Sequence, residues 1–134
     1  MRDPRVRPFG LRVLRIMFLS WSATSRARRF SALVGIPPEV GDGRSREEEA
    51  RMGRALRRLV LPSQATLERQ LGTLRERKLP LSVVTGGWNP AFEAVGDVVA
   101  ALGGGRRVVI RSEHHFPQLV SEEFNDLLAE LAAP

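Results

Sequence analysis

The sequence predicts an α/β fold in which a helical segment precedes a C-terminal β-α-β-α unit with parallel strands. Residues 81–85 are a short, nearly continuous apolar run, and residues 106–111 contain the β-branched run Val108-Val109-Ile110, which favours a strand. The stretch between them has apolar residues at helical spacing. Because left-handed crossovers are rare, strand, helix and strand in this order form a right-handed unit with parallel strands.

Each boundary of the central helix has a local signal. Asn89 is a side-chain cap, and Pro90 stands at the first helical position, where its missing N–H costs nothing. The glycines at 103–105 end the helix, since glycine tolerates the left-handed conformation. Its predicted apolar stripe consists of Phe92, Val95, Val99 and Leu102.

The final helix follows a loop from Ser112 to Gln118 and has acidic residues in its first turn. Its predicted buried stripe consists of Phe124, Leu127, Leu128 and Leu131.

Three segments divide the chain: an arginine-rich leader at 1–29, a helical segment at 30–79, and the β-α-β-α unit at 80–134. The leader has several interpretations. In the first interpretation, residues 11–21 are a strand remnant. In the others, the leader is a processed targeting segment, a disordered start that is foreign to the fold, or a basic amphipathic segment that binds an anionic membrane.

The helical segment at 30–79 is predicted to contain two or three short helices. A first helix begins at Phe30 and stops at the prolines 37–38. A second runs over 44–60 with Ser45 as a cap, and a third over 63–77. The predicted stripe of the second is Met52, Ala55, Leu56, Leu59 and Val60, and that of the third is Leu67, Leu71 and Leu74.

Two segments are expected at one edge of the sheet, because the carboxyl ends of parallel strands meet there. Gly87-Trp88-Asn89 follows the first strand, and the loop with His115 follows the second. His115 is therefore a candidate general base, with packing in a surface loop as the alternative. The amides of Gly86-Gly87 are a candidate anion site, although plain turn geometry is the commoner use of such glycines. Adjacent Glu113 and His114 point apart on an extended segment, so no metal site is expected.

The segments Val83–Phe92, His115–Gln118 and Phe124–Asn125 resemble the C-terminal part of an α/β-hydrolase-fold protein. The resemblance implies a partial α/β-hydrolase-like fold, with residues 30–79 as a helical cap. It implies that His115 is the catalytic histidine and that Asn89 occupies the usual position of the acid, where an amide cannot carry the required charge. Trp88 and Phe116 become candidates for the pocket wall, and no cofactor is expected.

The same family carries a Gly-x-Ser-x-Gly nucleophile turn, and this chain does not. The only approximation is Gly43-Arg44-Ser45-Arg46-Glu47, which lacks the second glycine. We therefore expect a truncated chain that is inactive alone and that self-associates or pairs with a complementing chain through its exposed strand edge. Glu93 and Asp97 are alternative acids, but both are assigned to a solvated helix face.

Two classes of function stay open. The first is an α/β-hydrolase acting on an ester or a related small carbonyl substrate. The second is a noncatalytic binding protein that uses the basic leader for nucleic acid or an acidic partner. Residues 1–29 hold eight arginines against one acidic residue, a net charge of +7, while 13 basic and 14 acidic residues in the remainder give −1. The hydrolase-like portion is therefore not expected to bind nucleic acid.

The chain has no cysteine, which excludes disulfides and thiolate metal sites and is typical of a reducing compartment such as the cytoplasm. No apolar run approaches the roughly 20 residues needed to span a bilayer.

Overall fold

The chain folds into two compact units, residues 2–62 and residues 63–134, which we call the N-terminal and C-terminal units. The computed structural model describes residues 3–37, 40, 43–119 and 121–132. Among these described residues, no helix is both long enough and apolar enough to cross a membrane.

The described part of the N-terminal unit is helical. It contains α1 (Val6–Leu19), α2 (Ala23–Leu33) and α3 (Arg46–Arg57). Helix α2 packs against both of the others and most extensively against α3.

The strand predicted for residues 11–21 is wrong, because most of this segment lies in α1. The partly buried positions Phe9, Val13, Ile16 and Met17 recur every three or four residues, as one face of a helix requires. The continuous apolar run obscured this period, since Leu11 and Leu14 on the opposite face are apolar but about half exposed.

Side-chain caps determine where α2 and α3 begin. Ser22 Oγ accepts a hydrogen bond from the Ser25 amide at 3.0 Å, so α2 starts at Ala23 and the helix predicted from Phe30 is only its last part. The predicted boundary between residues 29 and 30 lies inside α2. The predicted cap at Ser45 is confirmed, and Glu48 bonds back to the Ser45 amide to complete a capping box.

Helix α3 ends earlier than its apolar pattern predicts. Its last residue is Arg57, so Leu59 and Val60 lie beyond the helix with exposed side chains instead of extending the stripe.

A close approach between α2 and α3 depends on Gly53. A Cβ atom at this position would lie 1.8 Å from the carbonyl oxygen of Ala23 and 2.5 Å from its carbonyl carbon. Only a residue without a side chain allows the start of α2 to rest on α3 at this distance.

The C-terminal unit combines helices with a small sheet. Its elements are α4 (Gln64–Glu76), β1 (Ser82–Thr85), α5 (Pro90–Gly103), β2 (Arg106–Val109), a 3-10 turn (Pro117–Leu119) and α6 (Ser121–Ala132). Strands β1 and β2 pair in parallel, with Ser82 opposite Arg106 and Thr85 opposite Val109. The two parallel strands joined by a crossover helix are present as predicted, and the small sheet is compatible with an α/β class, although the described residues are mostly helical.

Helix α5 has the predicted ends but buries a different face. Asn89 Oδ1 accepts from the Ala91 amide at 2.9 Å, Pro90 is the first helical residue, and Gly104 closes the helix with φ of 68°. The residues fully buried in this helix are small, and Val95 from the predicted stripe is exposed. They are Ala91, Ala94, Gly96, Ala100 and Gly103. Small side chains let α5 approach its neighbours closely, since a Cβ at Gly103 would lie 2.4 Å from Leu81 Cδ2.

The buried core of the described residues is thin. Its apolar members are Ala27, Ala91, Ala94, Ala100, Ile110 and Leu127. In α6 only Leu127 of the predicted stripe is buried, whereas Leu128 and Leu131 are about half exposed. Helix α4 begins at Gln64 after a cap at Ser63, close to the predicted start, but Leu67 of the predicted stripe is 45% exposed. Many large apolar side chains therefore remain in contact with solvent.

Candidate functional site

A mostly apolar cavity of about 180 Å3 lies in the C-terminal unit at the carboxyl end of β1. Strand β1, the turn at Gly86 and Trp88, and one side of α5 form most of its wall. His115 and Pro117, from the loop after β2, complete the lining. The parallel pairing of the strands brings these separate segments to one edge of the sheet.

Four aromatic side chains form a continuous cluster at this cavity. The Trp88 and Phe92 ring centroids are 5.6 Å apart, those of Phe92 and His115 are 4.6 Å apart, and those of His115 and Phe116 are 5.8 Å apart. We call Trp88, Phe92, His115 and Phe116 the aromatic cluster. Trp88 and His115 line the cavity itself, and Phe116 meets the His115 ring edge-on.

Phe92 is the member of the cluster that the sequence did not single out. Its position in the first turn of α5, directly after the Trp88 turn, was the available signal. The helical pattern assigned it only to the packing stripe.

Local hydrogen bonds shape the loop that presents His115. Ser112 Oγ donates to the His114 carbonyl at 2.5 Å, and the Ser112 amide donates to the Gly86 carbonyl at 2.9 Å. The Phe116 amide donates to His114 Nδ1 at 3.2 Å. These bonds hold His114 within the loop and join the loop to the glycine turn, while the His115 ring stacks against Phe92.

No hydrogen bond or ion pair joins the His115 imidazole to another residue in the described part of the chain. Asn89, at the position of the family's acid, is engaged as the cap of α5. His115 therefore has ring contacts but no orienting carboxylate among the described residues.

Glu93 lies in a partly buried polar network and not on a solvated helix face, which corrects the prediction. Its carboxylate accepts from Thr85 Oγ1 at 2.8 Å and from the Gly87 amide at 3.0 Å, and it forms an ion pair with Arg107. The side chains of Glu93 and Arg107 are each only 19% exposed. Asp97 is a second partner of Arg107, at 3.2 Å, but its side chain is half exposed.

This network also engages one of the two amides of the predicted anion site at the glycine turn. The Gly87 amide, a predicted anion donor, already binds a carboxylate of the protein itself. Gly87 has φ of 71°, which places it in the left-handed region that favours glycine. The Gly87 amide is therefore engaged by Glu93 of α5.

Comparison with protein-family models, with curated proteins and with solved structures finds no match to this chain. The site must be interpreted from its own geometry.

The arrangement favours binding of a small apolar group beside an imidazole. Thr85 provides a hydroxyl on the cavity wall, and that hydroxyl is engaged with Glu93. Within the part of the chain that the structure describes, no group of three acidic or histidine side chains could hold a metal ion.

Proposed function

We propose that the C-terminal unit is an α/β-hydrolase-type unit whose cavity holds the apolar part of an ester or a related small carbonyl compound. The observation that carries this proposal is the position of His115. Its ring lies on the wall of an apolar cavity at the carboxyl end of a parallel sheet, next to Trp88 and Phe92. The order strand, helix, strand and histidine loop agrees with the resemblance noted in the sequence.

In a complete site of this type the imidazole would accept the proton of an attacking hydroxyl and return it to the leaving group. The reaction also requires a nucleophile within hydrogen-bonding distance of the base. The two nearby hydroxyls are both engaged, since Thr85 donates to Glu93 and Ser112 donates to the His114 carbonyl. His115 therefore has no hydroxyl to activate among the described residues.

The acid is likewise missing from its usual position. Asn89 is neutral, and the nearest alternative on α5, Glu93, is committed to Arg107, Thr85 and the Gly87 amide. We therefore expect the chain alone to bind a carbonyl ligand without turning it over.

A second polypeptide would supply the missing nucleophile in this proposal. The described sheet has only two strands, so each has an outer edge with unpaired backbone groups. Val109 on β2 is 48% exposed, which leaves apolar surface at the sheet. Pairing at such an edge is the route by which a complementing chain, or a second copy, would join the sheet.

The first test compares ester hydrolysis by the chain and by His115→Phe, with 4-nitrophenyl acetate as the substrate. Phenylalanine keeps a ring against Phe92 and removes both nitrogens. We expect equal rates, no faster than free imidazole at the same concentration. Hydrolysis that turns over repeatedly and disappears in His115→Phe would show a nucleophile that the proposal denies.

Binding is tested separately, by saturation-transfer NMR with phenyl acetate. Trp88→Leu is expected to weaken the signal, because Trp88 forms part of the cavity wall. Trp21→Leu is the matched control, since Trp21 is the chain's other tryptophan, belongs to the N-terminal unit and is 89% exposed. An equal loss of the saturation-transfer signal in both variants, or no signal for the unaltered chain, would contradict the proposed binding site.

A further inference from the structure

A second cavity, of about 570 Å3, lies within the N-terminal unit and is lined by four arginines. Arg26 belongs to α2, Arg54 and Arg57 to the last turn of α3, and Arg58 follows directly. Ser20, Trp21, Ser22 and Ala23, at the junction of α1 and α2, form the rest of the wall. We call this cavity the arginine pocket.

The positive charge of the arginine pocket is not balanced by acidic side chains of the residues that the structure describes. Within the described residues, no carboxylate contacts Arg54, Arg57 or Arg58. Two acidic groups of the unit have other partners: Asp3 pairs with Arg5 at 2.9 Å, and Glu49 pairs with Arg28 at 2.8 Å. The whole unit has 14 arginines and six acidic residues in its sequence, a net charge of +8.

Arg26 places a further charge in this pocket at a buried position. It is only 6% exposed and donates to the carbonyls of Met17, Gly53 and Ser20, at 3.1, 3.0 and 3.4 Å. These bonds engage all three guanidinium nitrogens of Arg26. They do not neutralise its positive charge, because carbonyl oxygens carry only partial charge. Arg26 thus joins α1, α2 and α3 and raises the positive potential at the floor of the pocket.

The start of α2 adds to this potential. Its cap, Ser22, and its first residue, Ala23, both line the pocket, and its first turn contains no acidic residue. The partial positive charge of a helix N-terminus therefore lies beside four guanidinium groups. This arrangement is repulsive without an anion and becomes favourable with one.

We propose that the arginine pocket binds the phosphate groups of an organic phosphate. Guanidinium groups match phosphate oxygens with paired hydrogen bonds, and several of them together select for more than one negative charge. Trp21 at the pocket is 89% exposed, with the Arg29 guanidinium 6.0 Å from its ring centroid. Its ring offers a surface for the organic part of the ligand.

Three of the four arginines lie beyond residue 29. Nucleic-acid binding by the basic leader alone would not depend on them, so the pocket makes a distinct prediction.

The test is a titration of the full 15N-labelled chain with inorganic pyrophosphate, at constant ionic strength, followed by the indole N–H signals. The chain has two tryptophans, so Trp21 reports on the arginine pocket and Trp88 on the C-terminal unit. We expect the Trp21 signal to move and saturate while the Trp88 signal stays. No movement of Trp21 would overturn the proposal.

Paired substitutions on and beside α3 separate the pocket from general surface charge. Arg54→Gln with Arg57→Gln should weaken pyrophosphate binding by about tenfold or more, since hydrogen bonds between charged groups are the stronger kind. Arg44→Gln with Arg51→Gln removes the same charge outside the pocket lining and should leave the affinity nearly unchanged. Equal weakening in both pairs would overturn the proposal. Arg26 is left intact because it holds the three helices together.

If the glutamine pair does not fold, Arg54→Lys with Arg57→Lys keeps the charge and loses the planar guanidinium. A several-fold weaker affinity is expected, and unchanged affinity would contradict recognition by guanidinium groups. ADP and phosphatidylglycerol vesicles then distinguish the two sources of phosphate. Competition by ADP alone supports a soluble ligand, and competition by the vesicles supports a lipid head group.

Discussion

At the scale of single residues, Glu93 holds the junction between β1, α5 and β2. Its carboxylate accepts from the Thr85 hydroxyl and the Gly87 amide and pairs with Arg107, and both charged side chains are largely buried. A buried ion pair of this kind matters mainly when it is broken, because the partner then keeps an uncompensated charge.

We predict that Glu93→Gln lowers the free energy of unfolding by about 2 to 4 kcal/mol, because Arg107 and the Gly87 amide lose their charged acceptor. Asp97→Asn removes the more exposed partner of Arg107 and should cost less than about 1 kcal/mol. Urea denaturation of both variants measures the difference. Equal costs would contradict a central role for Glu93.

The sequence predicted the capping role of Asn89 correctly and the surroundings of Glu93 wrongly. The two residues differ in how far along the chain their partners lie. The Asn89 cap depends on a residue two positions away, so the Asn-Pro start of the helix was sufficient to predict it. Glu93 pairs with Arg107, which is 14 positions away on β2. Helical periodicity gives no information about that partner.

At the scale of elements, the approach of α2 to α3 at Gly53 leaves no space for a side chain. We predict that Gly53→Ala destabilises the N-terminal unit, because overpacking costs about 1 to 3 kcal/mol and the clash is with backbone atoms. This cost opposes a gain of about 1 kcal/mol in helix propensity.

Gly10→Ala in α1 is the matched control, since no atom lies within 4 Å of the added Cβ. It should stabilise the chain by up to about 1 kcal/mol. Thermal unfolding followed by circular dichroism compares the two. A higher melting temperature for Gly53→Ala would show that the helices are not packed as described.

The start of α3 makes stability depend on pH. The Ser45 amide lowers the pKa of Glu48, and the side-chain hydrogen bond with Arg28 lowers the pKa of Glu49. Because both pKa values are lower in the folded state, the stabilisation is complete above the ordinary value of 4.5 and is lost as the pH falls through the folded values.

We therefore expect the stability of the chain to fall as the pH drops below about 4.5. Glu48→Gln keeps the capping-box geometry without a titrating group, so its stability should fall less over this range. Urea titrations at several pH values measure both curves. Identical curves would contradict a contribution from Glu48.

The sequence predicted helix ends correctly where it contains capping residues or helix-ending glycines. The caps at Ser45 and Asn89 and the closing glycines located the start of α3 and both ends of α5. Prediction failed for α1, where apolar residues on both faces resemble a strand, and for the buried face of α5, where small residues and not large ones make the contacts.

At the scale of the whole molecule, charge divides between the two units. The N-terminal unit has a net charge of +8, whereas seven basic and nine acidic residues give the C-terminal unit −2. The predicted leader of residues 1–29 contained part of this asymmetry. The contribution of α3 was not predicted, because Arg54, Arg57 and Arg58 are distant from Arg26 in the sequence and line the same pocket only in the folded unit.

The thin core and the exposed apolar side chains make association a prediction at the same scale. Phe18, Trp21, Val60 and Leu61 are each more than 70% exposed, and large exposed apolar surface is typical of proteins with partners. We expect the sedimentation coefficient to rise with protein concentration. A single monomeric species over a wide concentration range would contradict self-association of the chain.

The most direct test of the central claim is a titration with phenyl acetate, followed by the carbon-bound proton signals of the imidazole rings. The chain has two histidines, adjacent in sequence, and only His115 lines the cavity. We expect the His115 signals to move and saturate without ester hydrolysis, while those of His114 move little. Stationary His115 signals, or equal movement of both histidines, would contradict a carbonyl-binding site at His115.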